Sequence, residues 1–344
     1  MIMEKKSKFI SFITKYPVIL SLVLIVPMII NIGRYVFSDE TVFYNDYYSG
    51  KELDVDDASF KLTGIHKIGK VAQASANYSY QGADCYKDKY VVCLDNLEAI
   101  HIYDSNSLKL LHTVNGLFNR DYHCNQIFFG NDYFKMSDEF PLLYISMENP
   151  NVRSTIAYRI YKRAEQYYLE EVSTLKLVFD SPEDTIYFPN SYYDYEEGLI
   201  YYGGYTEATY MRSDTNKLRY YSFPMPSYRE EYVELHTDNP IDRFELPSET
   251  ATQGGFISHS HLYQTFSFNS KDNPLRMPVM RVVDLKNKKI IKEYKNLGEE
   301  FGVYEEFEHV AINEDGKMIS LGNPTSIYEF NYADSDKENE ERIA

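Results

Sequence analysis

The feature that most constrains the fold of this chain is an internal repeat of short strands. Residues 81–114 divide into four apolar or alternating runs separated by polar turns, which is typical of a four-stranded antiparallel meander. Comparable units begin near residues 123, 190, 255 and 308. Five such units at spacings of 42 to 67 residues predict an all-β chain folded as a β-propeller, in which each blade is a four-stranded sheet.

A turn that ends in lysine recurs in three of these units. Asp104, Arg212 and Asp284 are each followed five residues later by a lysine, in IYDSNSLK, YMRSDTNK and VVDLKNKK. Aspartate at the start of such a turn can cap it by accepting a hydrogen bond from the backbone two residues further on. We therefore expect each of these segments to join the third and fourth strands of its blade.

The last unit is one strand short, and the first predicted strand of the domain has no blade. Ser59–Ile68 has the pattern of a strand, whereas residues 308–332 contain only three. We expect Ser59–Ile68 to pair with the strand around Ser326–Phe330, because this pairing closes the ring and protects two sheet edges. A sixth blade would have to lie in Pro224–Thr250 or in the long second unit.

The strand and turn pattern, the Asp104–Lys109 turn and the Asp315–Gly316 hairpin resemble those of TolB-like and related six-bladed propellers of bacterial envelopes. The resemblance covers residues 60–332. It implies a disc with a central channel, which in most members is a protein- or ligand-binding platform and in some a catalytic one. This sequence departs from the family because only five units are clear.

The N-terminal segment predicts a membrane anchor. Tyr16–Ile32 contains only four residues that are not apolar, and at 1.5 Å per residue it would reach about 25 Å, close to the thickness of a hydrocarbon core. Lysines precede this span and acidic residues follow it, so the positive-inside rule places the N-terminus in the cytoplasm. A cleaved signal peptide is the alternative, although no small-x-small cleavage pattern follows Ile30.

These patterns divide the chain into four parts. Residues 1–37 form a basic cytoplasmic tip and transmembrane anchor, residues 38–58 an acidic tether, residues 59–332 the propeller, and residues 333–344 a disordered acidic tail. We therefore expect a single-pass protein of the cell membrane with a transmembrane helix. Its propeller is expected on the extracytoplasmic, or periplasmic, side.

The charge of the domain excludes one class of partner. The net charge is −17, but five of the 35 basic residues and one of the 52 acidic residues lie within residues 1–34. The rest of the chain therefore carries 30 basic and 51 acidic residues, a balance of −21. Such a surface repels phosphate backbones, so we expect an envelope protein, peptide or glycan as the partner and no nucleic acid.

Cysteine and histidine do not predict a metal site. Cys85, Cys93 and Cys124 are not spaced like zinc ligands, and we expect them to be buried small side chains, although one pair could oxidise in an exported domain. His259 and His261 alternate along the chain, but the repeat places them in the turn between the first two strands of a unit, facing solvent. No metal and no cofactor is expected.

The leading ends of the innermost strands line the mouth of a propeller's channel. Polar residues occupy these positions, where a buried strand would normally be apolar. One interpretation is that they satisfy loop backbone or ordered water. The functional interpretation is a ligand-binding ring of mixed hydrogen-bond donors and acceptors. The candidate ring comprises Gln81, Asp84, His123, Asn125, Asn190, Gln253, Glu308 and His309.

No linear motif indicates catalysis. The sequence contains no G-x-S-x-G elbow, Walker loop, H-E-x-x-H or G-x-G-x-x-G. We therefore expect a non-enzymatic binding module, with a propeller lyase or glycoside hydrolase as the alternative and a structural assembly subunit as a third hypothesis. In the enzyme, Asp84 and Glu308 would supply acid and base, and His123 and His309 could contribute.

Overall fold

The computed structural model describes residues 61–72, 80–94, 99–114, 123–147, 153–267 and 278–333. These residues form five β-sheets arranged as the blades of a propeller. The first strand of each blade contacts the first strand of the next blade around a closed ring. The prediction of an all-β propeller with five units is confirmed.

The chain begins the ring with a strand that belongs to its last blade, β1 (Lys61–Lys70). Blade 1 then comprises β2 (Tyr80–Tyr86), β3 (Lys89–Leu94), β4 (Ile100–Asp104) and β5 (Leu110–Val114). Blade 2 contains β6 (Cys124–Phe129), β7 (Leu143–Met147), β8 (Ser154–Arg163) and β9 (Gln166–Val178), followed by a 3₁₀ turn at Pro182–Asp184.

The second half of the ring is built in the same way. Blade 3 has β10 (Tyr187–Asp194), β11 (Leu199–Tyr205), β12 (Lys217–Pro224) and β14 (Asp242–Pro247), while β13 (Tyr232–His236) leaves it. Blade 4 has β15 (Thr252–Ser258), β16 (His261–Phe266), β17 (Val279–Asp284) and β18 (Lys289–Tyr294), followed by the helix α1 (Leu297–Phe301). Blade 5 has β19 (Phe307–Ile312), β20 (Met318–Gly322) and β21 (Ser326–Ala333).

The ring is closed by pairing the two ends of the domain. β1 runs antiparallel to β21, from Lys61 opposite Ala333 to Lys70 opposite Ser326. It becomes the outer strand of blade 5 and buries Leu62 and Ile65 against that blade's core. The predicted closure strand is therefore confirmed from Lys61 onwards, and it continues two residues past its predicted end, to Lys70.

No sixth blade exists among the described residues. One of its two candidate segments, Pro224–Thr250, is divided between two existing blades, and the other, the long second unit, is blade 2 itself. β14 is the outer strand of blade 3, and β13 lies parallel to β9 as a fifth strand of blade 2, from Tyr232 opposite Thr174 to His236 opposite Val178. The blade number therefore differs from that of the six-bladed propellers that the sequence resembles, and one blade has five strands rather than four.

The core consists of separate apolar layers between neighbouring blades. The described residues form five clusters of buried side chains, and each cluster joins two adjacent blades. Tyrosine contributes to all of them. Several of its hydroxyls are buried and donate hydrogen bonds, such as Tyr202 to Thr155 Oγ1 at 2.9 Å and Tyr220 to Gln264 Oε1 at 2.8 Å. A buried tyrosine hydroxyl requires such a partner.

Two of the three predicted turns join the third and fourth strands of a blade. Asp104 Oδ1 accepts the Ser107 amide at 2.7 Å, and Asp284 Oδ1 accepts the Asn287 amide at 2.8 Å. The third prediction was wrong, because the segment at Arg212 lies between the second and third strands of blade 3. An arginine side chain has no acceptor for a backbone N–H, so it cannot cap this type of turn.

The predicted anchor, residues 1–37, the tether, residues 38–58, and the tail beyond Ala333 lie outside the described residues. Within the described part of the chain, no helix is both long enough and apolar enough to cross a membrane.

Candidate functional site

The inner strand of every blade is interrupted at the same level. The pairing of the first strand with the second shifts register between Tyr80 and Gly82, Cys124 and Gln126, Tyr187 and Asn190, Thr252 and Gly255, and Phe307 and His309. Such bulges leave residues unpaired and redirect their side chains. Four members of the predicted ring lie within these shifts: Gln81, Asn125, Gln253 and Glu308.

The bulges surround a cavity of about 290 Å³, here called the mouth cavity. One part of its wall is polar and consists of Gln81, His123, Gln253, Glu306, Glu308 and Asn323. The other part consists of Phe188, Tyr205, Tyr210, Ala251 and Thr252. The cavity thus combines aromatic surface with a few converging polar groups, which is the usual composition of a small-ligand site.

One amide holds the two carboxylates of the cavity together. Asn323 Nδ2 donates to Glu308 Oε1 at 2.7 Å and to Glu306 Oε2 at 3.3 Å. Gln253 Nε2 donates to Glu306 Oε1 at 3.0 Å from the neighbouring blade. Glu306 and Glu308 are therefore fixed side by side on the wall where blades 4 and 5 meet.

Local backbone structure explains this arrangement. Glu306 immediately precedes β19, and Glu308 is the bulged residue of that strand, so both side chains are released from the regular alternation of the sheet. Asn323 lies in the turn between β20 and β21, and its backbone N–H donates to the backbone carbonyl of Glu306 at 2.8 Å. The turn is thereby held against the beginning of β19, which places the three side chains together.

Two residues in the second, mostly apolar part of the cavity wall have strained backbones. Phe188 has φ of 53° and Ala251 has φ of 48°, in the left-handed region that non-glycine residues rarely adopt. The conformation at Ala251 is fixed by Tyr205, whose hydroxyl donates to the Glu249 carbonyl at 2.7 Å and accepts the Thr252 amide at 2.8 Å. Strained residues held in this way cluster at binding and catalytic sites.

The other predicted ring residues lie elsewhere. Asp84 accepts the amides of Cys85 at 2.8 Å and Phe129 at 2.7 Å, so its carboxylate connects the inner strands of blades 1 and 2. Asp84 and His309 line a separate cavity of only about 30 Å³ further along these strands. Asn190 is fully buried and donates to the Gln253 carbonyl at 3.4 Å.

The structure thus brings Gln81, His123, Gln253 and Glu308 to one cavity and does not bring Asp84 to Glu308. The side chain of Asn125 lies outside the described residues.

Below the mouth cavity, a glutamine crosses the centre of the disc. Gln126 Nε2 donates to the Gly255 carbonyl at 2.6 Å, and the Gly255 amide donates back to Gln126 Oε1 at 2.9 Å. These bonds join blade 2 to blade 4. Gly254 makes room for them, since a Cβ there would lie 2.7 Å from Gln126 Oε1 and 2.2 Å from His309 Nδ1.

The described residues contain one cluster with the composition of a metal site. Ligand atoms of Asp180, His236 and Asp238 lie within 4.8 Å of one another at the outer edge of blade 2. His236 Nδ1 lies 2.9 Å from Asp180 Oδ1, and the Asp238 amide donates to Asp180 Oδ2 at 3.1 Å. These contacts explain the cluster without an ion. His259 occupies the turn between β15 and β16, as predicted, whereas His261 is the first residue of β16 rather than a turn residue.

Sequence reasoning did not identify Glu306, Asn323 or the aromatic wall of the mouth cavity. Glu306 could have been found, because it lies two residues before Glu308, at the polar start of the same unit. Asn323 and Tyr205 carried no signal, since both reach the cavity from the far ends of other strands.

No protein-family model and no curated protein matches the chain. Solved structures that are similar include a Myxococcus xanthus glutaminyl cyclase, at 8% identity and a TM-score of 0.46, covering 78% of this chain and 96% of that one. A glucose dehydrogenase is also similar, at 8% identity and a TM-score of 0.45, covering 79% of this chain and 100% of that one. At these values the similarity concerns the fold alone and says nothing about activity.

Proposed function

We propose that this chain is a membrane-anchored, extracytoplasmic propeller that binds an envelope glycan or peptide in its mouth cavity. The apolar, lysine-preceded N-terminal segment supports the anchor and the orientation. The resemblance to TolB-like propellers supports a binding platform, although this ring has five blades. The proposal predicts that a reporter enzyme that works only outside the cytoplasm will be active when it is fused after Ala344.

One observation carries the binding site: Glu306 and Glu308 are fixed side by side in a cavity whose described lining includes no lysine or arginine. Carboxylates are acceptors only, so the cavity favours a ligand that brings donors. Sugar hydroxyls and ammonium groups both do so. The rings of Phe188 and Tyr210, which are not fully buried, offer apolar faces to a sugar ring and π-faces to a cation.

Binding should depend on the charge of Glu308. We expect the purified full chain to bind at least one of three probes in titration calorimetry: a neutral oligosaccharide, an amino-sugar oligosaccharide or a lysine-rich peptide. Glu308→Gln keeps the acceptor for Asn323 but removes the charge, and should weaken binding about tenfold, equivalent to about 1.4 kcal/mol.

The matched control is Glu300→Gln, an exposed acid of α1 outside the cavity, which should bind like the native chain. Equal binding by Glu308→Gln and the native chain would place the ligand elsewhere. Binding to none of the three probes would contradict the proposed ligand chemistry.

A propeller lyase or glycoside hydrolase is the second candidate, because two carboxylates within reach of one nitrogen could divide the roles of acid and base. The pair differs from the one proposed from the sequence, since Glu306 takes the place of Asp84. Turnover of a probe that is lost in the Glu306→Gln/Glu308→Gln variant, while binding remains measurable, would favour the enzyme over the binding module.

A further inference from the structure

Two cysteines from neighbouring blades meet in the core beside the mouth cavity. Cys93 lies on β3 of blade 1 and Cys124 begins β6 of blade 2, and their Sγ atoms are 2.8 Å apart. Both side chains are completely buried. This separation is shorter than ordinary contact between two thiol sulfurs and exceeds a disulfide bond, about 2.05 Å, by less than 1 Å.

The surroundings fit neither a metal site nor an accessible reactive thiol. Cys93 and Cys124 belong to the apolar layer between blades 1 and 2, and both sulfurs face the Leu94 carbonyl, at 3.6 and 3.8 Å. No third metal-ligating side chain joins them among the described residues. Cys85 belongs to a different layer, between blades 5 and 1.

We propose that Cys93 and Cys124 form a disulfide in the mature protein. Two S–H bonds break and one S–S bond forms, and the two protons and two electrons pass to an exported disulfide-bearing oxidoreductase, whose own disulfide is reduced to two thiols. Because both sulfurs are buried in the folded domain, the bond forms during folding. The inference rests on the proposed extracytoplasmic location and is independent of the ligand.

The disulfide has a structural consequence at the mouth. It closes a loop between blades 1 and 2 and fixes the beginning of β6, directly after His123 of the mouth cavity. Closing a loop restricts the unfolded chain, which stabilises the folded one. The ring is then held covalently at one blade boundary, whereas the closure of blade 5 depends on hydrogen bonds.

Counting free thiols tests this proposal. The full chain is isolated from membranes with an acid quench, denatured and labelled with a polyethylene glycol maleimide. We expect one label without reductant, on Cys85, and three labels after reduction. Cys85→Ala should take no label without reductant, and Cys93→Ala should take two. On a non-reducing gel the native chain should run as a monomer.

Three labels on the native chain without reductant would contradict the disulfide, and so would two labels on the unreduced Cys85→Ala variant. A dimer that reductant converts to monomer would contradict it as well. The reporter fused after Ala344 is read in the same cells. An active exported reporter together with three free thiols would reject the disulfide and leave the proposed location intact, while an inactive reporter together with three free thiols would reject both.

Thermal unfolding provides a second readout. Reductant should lower the unfolding midpoint of the native chain by several degrees and leave the Cys93→Ala/Cys124→Ala variant unchanged. An equal shift in both proteins would show that reductant acts elsewhere.

Discussion

Two strands of this propeller cross a blade boundary, and they differ in how much of the fold depends on them. β1 pairs antiparallel with β21 through eight residue pairs and closes the ring. β13 pairs parallel with β9 through five and covers the outer edge of blade 2. The first supplies a strand that blade 5 lacks, whereas the second is added to a blade that already has four strands.

The burial of the two strands shows the same difference. β1 contributes Leu62 and Ile65 to the layer between blades 4 and 5. β13 buries only Leu235 fully, and Val233 packs at the border of its layer. Closing a ring removes two exposed sheet edges. Adding a fifth strand covers the edge of β9 but leaves β13 as a new exposed edge. We therefore infer that β1 is required for the whole domain and β13 stabilises one side of it.

The boundary between blades 3 and 4 has no exchanged strand and is connected by side chains. Gln264 of β16 is fully buried, accepts from the Tyr220 hydroxyl at 2.8 Å and donates to the Tyr192 hydroxyl at 2.5 Å. Both tyrosines belong to blade 3. This contact provides a reference for what a boundary gains from polar side chains alone.

The largest effect is expected from deleting residues 61–70. The deletion exposes β21 and removes two buried side chains, so the free energy of unfolding should fall by about 5 kcal/mol or more, measured by urea denaturation. Loss of cooperative unfolding is an equally supportive result. A truncated domain as stable as the native one would show that β1 is dispensable.

The next effect is expected from Gln264→Leu. Removing the amide takes a partner from two buried tyrosine hydroxyls, so unfolding should become easier by about 2 to 4 kcal/mol. Adding Tyr192→Phe and Tyr220→Phe removes both hydroxyls and should recover part of that loss. If the triple variant is less stable than Gln264→Leu alone, packing rather than hydrogen bonding determines this boundary.

Matched leucine substitutions compare the crossing strands directly. Leu62 and Leu235 are both buried, at 4% and 7% exposure. We expect Leu235→Ala to cost about 2 kcal/mol and Leu62→Ala about 3 to 4 kcal/mol, because β13 has one buried side chain and can shift around its loss, whereas β1 is also held by Ile65. Denaturant titration of both variants measures the difference, and a larger cost for Leu235→Ala would reverse the ranking of the strands.

The smallest effect is a dependence on pH at the end of β13. The hydrogen bond to Asp180 raises the pKa of His236 above 6.5, and the same bond lowers the pKa of Asp180 below 3.8. The histidine's contribution is complete below pH 6.5 and is lost as pH rises through its raised pKa. The aspartate's contribution is complete above pH 3.8 and is lost as pH falls through its lowered pKa.

β13 should therefore be held best between about pH 4 and 6.5. Hydrogen exchange of the β13 amides, normalised to intrinsic rates, should show weaker protection at pH 9 than at pH 6. His236→Gln should remove this change while β1 remains protected in both proteins. An unchanged pH dependence in the variant would exclude His236 as its cause.

Local pattern predicted the repeated unit, the closure strand and two of the three lysine-ending turns. These features depend on residues close in sequence, such as Asp104 and Ser107, or on a strand that has no other partner. Gln81, Gln253 and Glu308 were found because each unit begins with a polar residue where an apolar one is expected.

The crossing of β13 and the composition of the mouth cavity were not predictable in this way. Both depend on which strands become neighbours after the ring closes, so Asn323 meets Glu306 and Glu308 only when its turn docks on β19. Asp84 has the same local pattern as the other ring residues, yet its carboxylate bonds to the next blade.

The sequence by itself therefore determined the blades and their order, because hydrophobic alternation and turn chemistry act over a few residues. Only the tertiary structure decided which polar side chains face a cavity and which satisfy buried backbone, because that choice depends on distances between blades.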